Sequence, residues 1–506
     1  MQKSNHEKQL TILLGFAFFL SQLATLTRFP FMHSDESWLS GLTRFMMENR
    51  SLAVTEPFFD LYPRNPHAIK STYHILQALF IQVLGYDLFS VRLMSLLFGS
   101  LSVILFAWIL KSFRITPLWI ILGSLLLAAQ PVYQFGAHFA RQEIVVVFFL
   151  LLIAFSWSKK KRILSLVSAF FAMGLHPNAF LGGTALVLTG LFTLWKSPKE
   201  RQQLLKTLPW LAGFTLFYIM ASLWMNPNFF SDYLAYGASL GVTASAGGKF
   251  TGFFFFFKKL WLGISGTYYL PPLRFSLIVI ATSFLSGGII GFIKQDRTLL
   301  GLQIHQAAWA LGILIVGRYN ATSILYFVPG AVITLVLIAA RYANHLPVKL
   351  ASVGMILWFS LLSYGEITAL PPNHYPAYLE SIEQIVPEDA VVLANLNAEF
   401  AFEAGKLYDY RNLAHLDQAG LSVDQYIRDR QISYILYADE LDYLHRNPDP
   451  WQVLYGPDQA WYEEMQSFLS SQCEEIADLE APIYGNRIVS FLNDPYWHLH
   501  IYRVKP

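Results

Sequence analysis

The chain has little charge and almost no cysteine. Only 14% of its 506 residues are Asp, Glu, Lys or Arg, where a soluble domain carries about 25%. That excludes a chain that is soluble from end to end. Cys473 is its one cysteine, which excludes an internal disulfide framework and any cysteine-based zinc cluster. No basic tract is long enough for a nucleic-acid surface; the Lys and Arg residues come in short clusters between apolar runs. The first apolar run is followed by Thr27-Arg28-Phe29-Pro30 rather than a small-residue cleavage site, so it does not read as a removable signal peptide. No internal repeat is visible.

What is present is apolar surface. Hydrophobic residues make up 54% of the chain, with 41 Phe, 26 Tyr and 13 Trp, and the mean hydropathy is +0.40. A membrane span needs about 20 apolar residues. Windows of that size give about eleven candidate transmembrane helices. They lie near 10–27, 91–110, 117–134, 143–157, 163–175, 177–195, 207–225, 271–293, 299–316, 321–340 and 349–366. The net charge of +2 hides a division. Residues 1–370 hold 28 Lys and Arg against 12 Asp and Glu, whereas 371–506 hold 8 against 22. The expected fold class is therefore an α-helical polytopic membrane protein over 1–370, followed by a soluble α/β domain over 371–506.

Loop charges set the expected orientation. With Lys3 and Lys8 in the cytoplasm, alternate loops carry Lys111 and Arg114, then 159–162, then Lys196, Lys199, Arg201 and Lys206, then Lys294 and Arg297, then Arg341 and Lys349. The short connections between them carry far less, with Arg141 in one, none in 175–177 and Arg318 in another, so these are the inner ones. The acidic C-terminal domain then lies outside, in a multi-pass inner-membrane protein. Two outer segments are long, 28–90 and 226–270. The second includes the aromatic run 253–257, which reads as lying in the interface.

The uncommon polar residues gather on that outer face. Asp35-Glu36 sit in the first outer segment, Arg141-Gln142-Glu143 open the fourth span, and His176-Pro177-Asn178 turn between the fifth and sixth. Tyr268-Tyr269 precede the eighth, and Arg318-Tyr319-Asn320 open the tenth. Ionisable groups at membrane depth are costly and mark functional sites. Each also has a plainer reading. Asp35 and Glu36 suit a helix N-terminus, as does Glu143 at its own span. His176-Pro177-Asn178 is a natural turn. Arg318 and Tyr319 can anchor an interface, and Arg92 is expected to snorkel or to pair with Asp87.

In order and spacing, these residues resemble the GT-C superfamily of membrane glycosyltransferases. The likeness is to the branch with protein O-mannosyltransferases and the aminoarabinose transferases that modify lipid A. Four features carry it. Asp35-Glu36 lead into an amphipathic helix. Lys70-Ser71-Thr72 open an apolar segment that closes on Gly85, Asp87 and Arg92-Leu93; the family commonly has Lys-Pro-Pro there. Arg141 and Glu143 stand at the outer end of the fourth span, where the acid is often Asp. Arg318-Tyr319 precede a span containing Pro329.

The resemblance implies transfer of a sugar from a polyprenyl-phosphate donor to an acceptor hydroxyl of a lipid, glycan or protein. It implies Asp35 as general base, with Glu36 orienting it or binding the acceptor and Glu143 as a second acid. Lys70 is then the cation for the donor phosphate, with Arg141, Arg318 and Tyr319 beside it. No cofactor is assigned. A divalent metal on Asp35, Glu143 and a His is possible, but no clear ligand set is visible.

In the C-terminal domain, 391–394 and 432–437 read as strands and 375–385 and 462–470 as helices. Residues 488–492 and 498–504 read as a closing strand pair, and Pro371-Pro372 as a linker. A domain so placed would cover the cavity or help choose the acceptor. Two other classes share much of this pattern: a transporter or flippase, and a polysaccharide polymerase or ligase for lipid-linked glycans. The second would use basic residues of a late outer loop, here Lys249, Lys258 and Lys259.

Overall fold

The computed structural model describes residues 2–239, 241–263, 271–370, 372, 374–447, 461–481 and 498–506. A helix falls on each of the eleven apolar windows: α1 Gln2–Leu23, α4 Leu88–Ser112, α5 Pro117–Ala129 with α6 Pro131–His138, α7 Glu143–Ser158, α8 Arg162–Met173, α9 Asn178–Thr193, α10 Pro198–Leu205 running into α11 Leu208–Met225, α14 Leu273–Ile293, α15 Arg297–Val316, α16 Val328–Tyr342 and α17 Leu346–Thr368. By length and composition, six helices among the described residues can cross a membrane alone. Four of the others, α1 and α7–α9, are shorter apolar helices.

The window at 117–134 is corrected. It is two helices, α5 and α6, bent by 64°. Pro131 lacks an N–H, and the residue before a proline is pushed out of the helical region. Gln130 accordingly has ψ 125°. The bend turns α6 across the end of the bundle and delivers the loop 139–142 to that end.

Helix α4 lies at the centre and packs on α1, α5, α6 and α7. α11 and α17 are peripheral. Exposed Leu285, Phe292, Ile315, Trp224 and Leu361 belong to an apolar outer surface that only a bilayer would cover. Of the segment 226–270, the described part forms α12 Phe229–Ser239 and α13 Ala246–Leu262. In α13, Phe253, Phe256 and Phe257 pack inward while Phe254 and Phe255 stay exposed.

At one end of the bundle, α2 Ser34–Glu48 and α3 Ser71–Leu84 form a shelf. The C-terminal residues sit on it. They build a five-stranded sheet of β1 Val392–Ala394, β2 Leu407–Asp409, β3 Tyr434–Ala438, β4 Cys473–Glu480 and β5 His498–Val504, in the order β2-β1-β3-β5-β4. β2, β1 and β3 are parallel, and β5 is antiparallel to both β3 and β4. Helices α18 His374–Glu383 and α22 Tyr462–Gln472 fall where the sequence predicts them. The closing pair does not: β5 pairs with 473–480, and 488–492 lie outside the described residues. The sequence of β4, Cys-Glu-Glu-Ile-Ala-Asp-Leu-Glu, carries four acids and little apolar signal. β2 is only three residues long and was also not legible.

Sheet and shelf share one core. Met32, Phe58, Phe59, Ile81 and Val91 pack in the same cluster as Val392, Leu436 and Ile501. Gly41 in α2 permits the approach, since a Cβ there would meet the Glu399 carboxylate at 3.0 Å.

Candidate active site

The site is built from the N-terminus of α2 outward. His33 caps the helix: its Nδ1 accepts the Asp35 N–H at 3.0 Å, and the Glu36 carboxylate accepts the His33 N–H at 3.0 Å. This is a capping box with histidine in place of serine. Successive helical residues point about 100° apart, so Asp35 and Glu36 face different surroundings.

Glu36 faces the core and is fully buried. Arg92 donates to both of its oxygens, each at 2.8 Å, and the Ala140 N–H donates to Oε1 at 2.9 Å. Arg92 therefore neither snorkels nor pairs with Asp87. Asp87 caps α4 through the Ser90 N–H, while Arg92 also donates to the carbonyls of Leu26 and Phe29. The pair is what fixes the loop 139–142 against α2. Tyr73 adds a bond to the Ala140 carbonyl at 2.7 Å.

That loop presents Arg141. Its Nη1 donates to Asp35 Oδ2 at 2.9 Å and its Nη2 lies 3.0 Å from Glu143 Oε1. One guanidinium thus bridges two carboxylates contributed by α2 and α7. Glu143 Oε1 also accepts the Thr322 hydroxyl at 2.8 Å. Its other oxygen is buried without a hydrogen-bond partner among the described residues, and the residue lines a small apolar pocket with Val132, Phe135, Phe139 and Leu325. Asp35 keeps some exposure and lies 3.9 Å from His33 Nδ1. The described residues hold no group of three or more His, Cys, Asp or Glu arranged for a metal ion.

Beside this row is a cluster of cations. Lys70 stands just before α3 and is held from behind. The Ala68 N–H donates to Ser222, and the Thr72 N–H donates to the Gly174 carbonyl at 2.9 Å. A Cβ on Gly174 would lie 2.2 Å from the Thr72 hydroxyl, so only glycine allows that contact. Burial first, then the Arg64 guanidinium, pull the Lys70 amine below the usual lysine range. Tyr236 of α12 lies among the same cations, with Arg64 at 5.4 Å and Arg318 at 5.8 Å from its ring. Burial would raise its phenol, but Arg318, Arg64 and Lys70 together hold it below the usual tyrosine value. His176 is pushed well down by burial and then by Lys70, Arg318 and Arg141. Its Nδ1 accepts the Asn178 N–H at 3.1 Å, which makes 176–178 the turn that the sequence suggests.

Arg64 was not singled out from the sequence, nor were Trp38, Glu56 and Tyr236. Glu56 accepts from Arg64 at 2.7 and 3.1 Å and from the Trp38 indole at 2.7 Å. Burial would raise Glu56, yet Arg64 and Trp38 hold it at about 2. No sequence period links residues 38, 56, 64 and 236, so only the fold could bring them together.

Tyr319 lies at the edge. Its hydroxyl donates to the Lys249 carbonyl at 2.5 Å and its ring stacks on Phe256, which ties the segment before α16 to α13. Lys249 is itself spent on the Ile315 carbonyl. Tyr268 and Tyr269 lie outside the described residues.

A bent multi-helix bundle with an acid-bearing helix near its start and a small mixed sheet on the same end is a fold that this chain shares with solved structures. In particular, the chain is similar to ArnT, the aminoarabinose lipid A transferase, from Cupriavidus metallidurans bound to undecaprenyl phosphate. The two share 13% identity over 97% of each chain, with a TM-score of 0.60. The apo form of that protein gives 0.54 at 14% identity, over 86% of this chain and 96% of that one. The archaeal oligosaccharyltransferase AglB from Archaeoglobus fulgidus, in complex with an inhibitory peptide and a dolichol-phosphate, gives 0.51 at 10% identity. That match covers 85% of this chain and 70% of that one. No family model matches the sequence, and no curated protein does.

Proposed function

We propose that the protein is an integral membrane glycosyltransferase that moves a sugar from a polyprenyl-phosphate donor to an acceptor hydroxyl. The observation that carries this reading is the row Asp35–Arg141–Glu143 beside the cations Lys70, Arg64 and Arg318, at one end of a GT-C-type bundle. Asp35 takes the acceptor hydroxyl proton. The acceptor oxygen bonds to the sugar C1 as the C1–O bond to the lipid phosphate breaks, and the electron pair leaves with the phosphate. Lys70, with Arg64 and Arg318, stabilises that departing charge, a term usually larger in a water-poor site than in water. Glu143 holds Arg141 and offers its second oxygen to the acceptor.

Glu36 acts through position: it holds His33 and the loop 139–142 rather than substrate. Tyr319 likewise braces Arg318 instead of binding phosphate. The apolar bundle surface supplies the groove for the lipid tail, and membrane lipids surround it. Loop charges favour the inner membrane with the sheet outside, so that 371–506 cover a site facing away from the cytoplasm. The acceptor is a lipid, glycan or protein. The reaction as written needs no metal, and a chelator arm in the assay tests that.

The decisive experiment incubates the purified protein in nanodiscs with labelled polyprenyl-phosphate sugars and a lipid extract, and identifies products by mass spectrometry. A glycosylated acceptor, lost in Asp35→Asn, supports the reading. Movement of the labelled lipid between leaflets with no new glycosidic product would make the protein a flippase and overturn it.

A further inference from the structure

Arg411 carries the C-terminal domain toward the cation cluster. Arg411, in the turn after β2, is 1% exposed. Its guanidinium lies 4.8 Å from the Trp38 ring and 5.1 Å from the Phe59 ring. Apart from its contact with Asp409 at 3.1 Å, it is committed to aromatic faces, because none of its nitrogens meets hydrogen-bond geometry among the described residues. A buried guanidinium so placed gives the ring it covers a fixed position.

Trp38 is covered by a second cation as well. Arg64 lies 5.1 Å from its ring. The indole is therefore in contact with two guanidinium groups, one from the sheet end and one from the cation cluster. Its Nε1–H donates to the same Glu56 oxygen that accepts from Arg64. Trp38 also stands three residues after Asp35, on the next turn of α2.

We infer that Arg411 and Trp38 are positioning residues: through them the C-terminal domain sets Arg64, and with it the capacity of the cluster to hold a lipid phosphate. The inference rests on the donor reading given above and adds a requirement to it. Residues 371–506 then form part of the donor site and do more than cover it. Loss of Arg411 lets the indole rotate, Glu56 loses its second donor, and Arg64 leaves the position in which it faces Tyr236.

The test measures undecaprenyl phosphate binding to the full chain in nanodiscs, apart from any transfer assay. Trp38→Phe keeps an aromatic face for both cations but removes the donor to Glu56. Arg411→Met keeps bulk while removing the charge. Each is expected to weaken binding roughly tenfold, the order of a lost bond to a charged group, with unfolding temperature held within a few degrees for Trp38→Phe. In transfer, the donor KM rises while kcat changes less. Equal binding by wild type and Trp38→Phe overturns the inference, as does a loss in Arg411→Met matched entirely by unfolding. Absence of undecaprenyl phosphate binding by the wild type would instead overturn the donor reading itself.

Discussion

Glu36 and Arg92 face each other through two parallel hydrogen bonds of 2.8 Å, with no solvent exposure on either side chain. They stand 56 residues apart in the chain. The pair joins α2 to α4, and through the Ala140 N–H it holds the loop bearing Arg141. Removing one partner leaves a buried charge uncompensated. We expect Glu36→Ala to lower stability by about 3–5 kcal/mol, and Glu36→Ala with Arg92→Met to recover most of it. Thermal unfolding in detergent reads both. A Glu36→Ala protein as stable as wild type would deny the pair its structural role.

Asp35→Asn is expected to cut transfer by roughly 10²–10⁴-fold, the range of general-base help. Insertion and unfolding temperature should stay near wild type, since Arg141 remains bound to Glu143. Product formation by mass spectrometry is the measurement, and full activity would remove Asp35 as the base.

Lys70 gives a prediction in pH. Its amine is held below the usual lysine value, so it loses its proton earlier than a free lysine as pH rises. A phosphate needs the charged form. Donor binding should therefore fall on the alkaline side at a pH below 10.5. Lys70→Arg, which stays charged, should bind with a flatter alkaline limb. Lys70→Ala should raise donor KM at all pH values; an unchanged KM would take Lys70 out of the phosphate site.

Glu399 gives a second, with opposite sign from an ordinary buried ion pair. It lies under the sheet against α2, bonded to the Tyr86 hydroxyl, with Arg44 at 3.9 Å and Glu48 beyond. Burial raises its carboxyl to about 7. A carboxyl raised in the docked state binds its proton more tightly there than when exposed. Its contribution to docking is complete at acid pH and is lost as pH rises through about 7, by on the order of 3 kcal/mol. Corrected for the base-catalysed intrinsic rate, hydrogen-exchange protection along α2 and residues 396–401 should fall between pH 5 and 8 in wild type. Glu399→Gln should remove that fall, and protection that ignores pH in wild type would refute it.

Much of the membrane half was legible because its signal is local. An apolar stretch about 20 residues long announces a helix wherever it lies, and all eleven windows fell on one. The bend at Pro131 is also local, yet a window average conceals it. The acids at one end of the bundle were legible as a group through loop charge. Their division of labour was not. Asp35 and Glu36 are neighbours in sequence, but helical rotation sends one to Arg141 and the other to Arg92, 106 and 56 residues away. Arg64 and Trp38 escaped notice because their meaning lies in partners that no period reveals. In the sheet, β1 and β3 are apolar and were seen, whereas β4 is acidic and takes its place only by pairing with β5.

Arg28 closes the bundle in a way that bears on how force travels. Its side chain donates to the carbonyls of Thr368 and Leu370, and His374 bonds back to the Arg28 carbonyl. The exit of the last helix is thereby stapled to the exit of the first. A pull on the sheet therefore enters the bundle through α1 and α17 together.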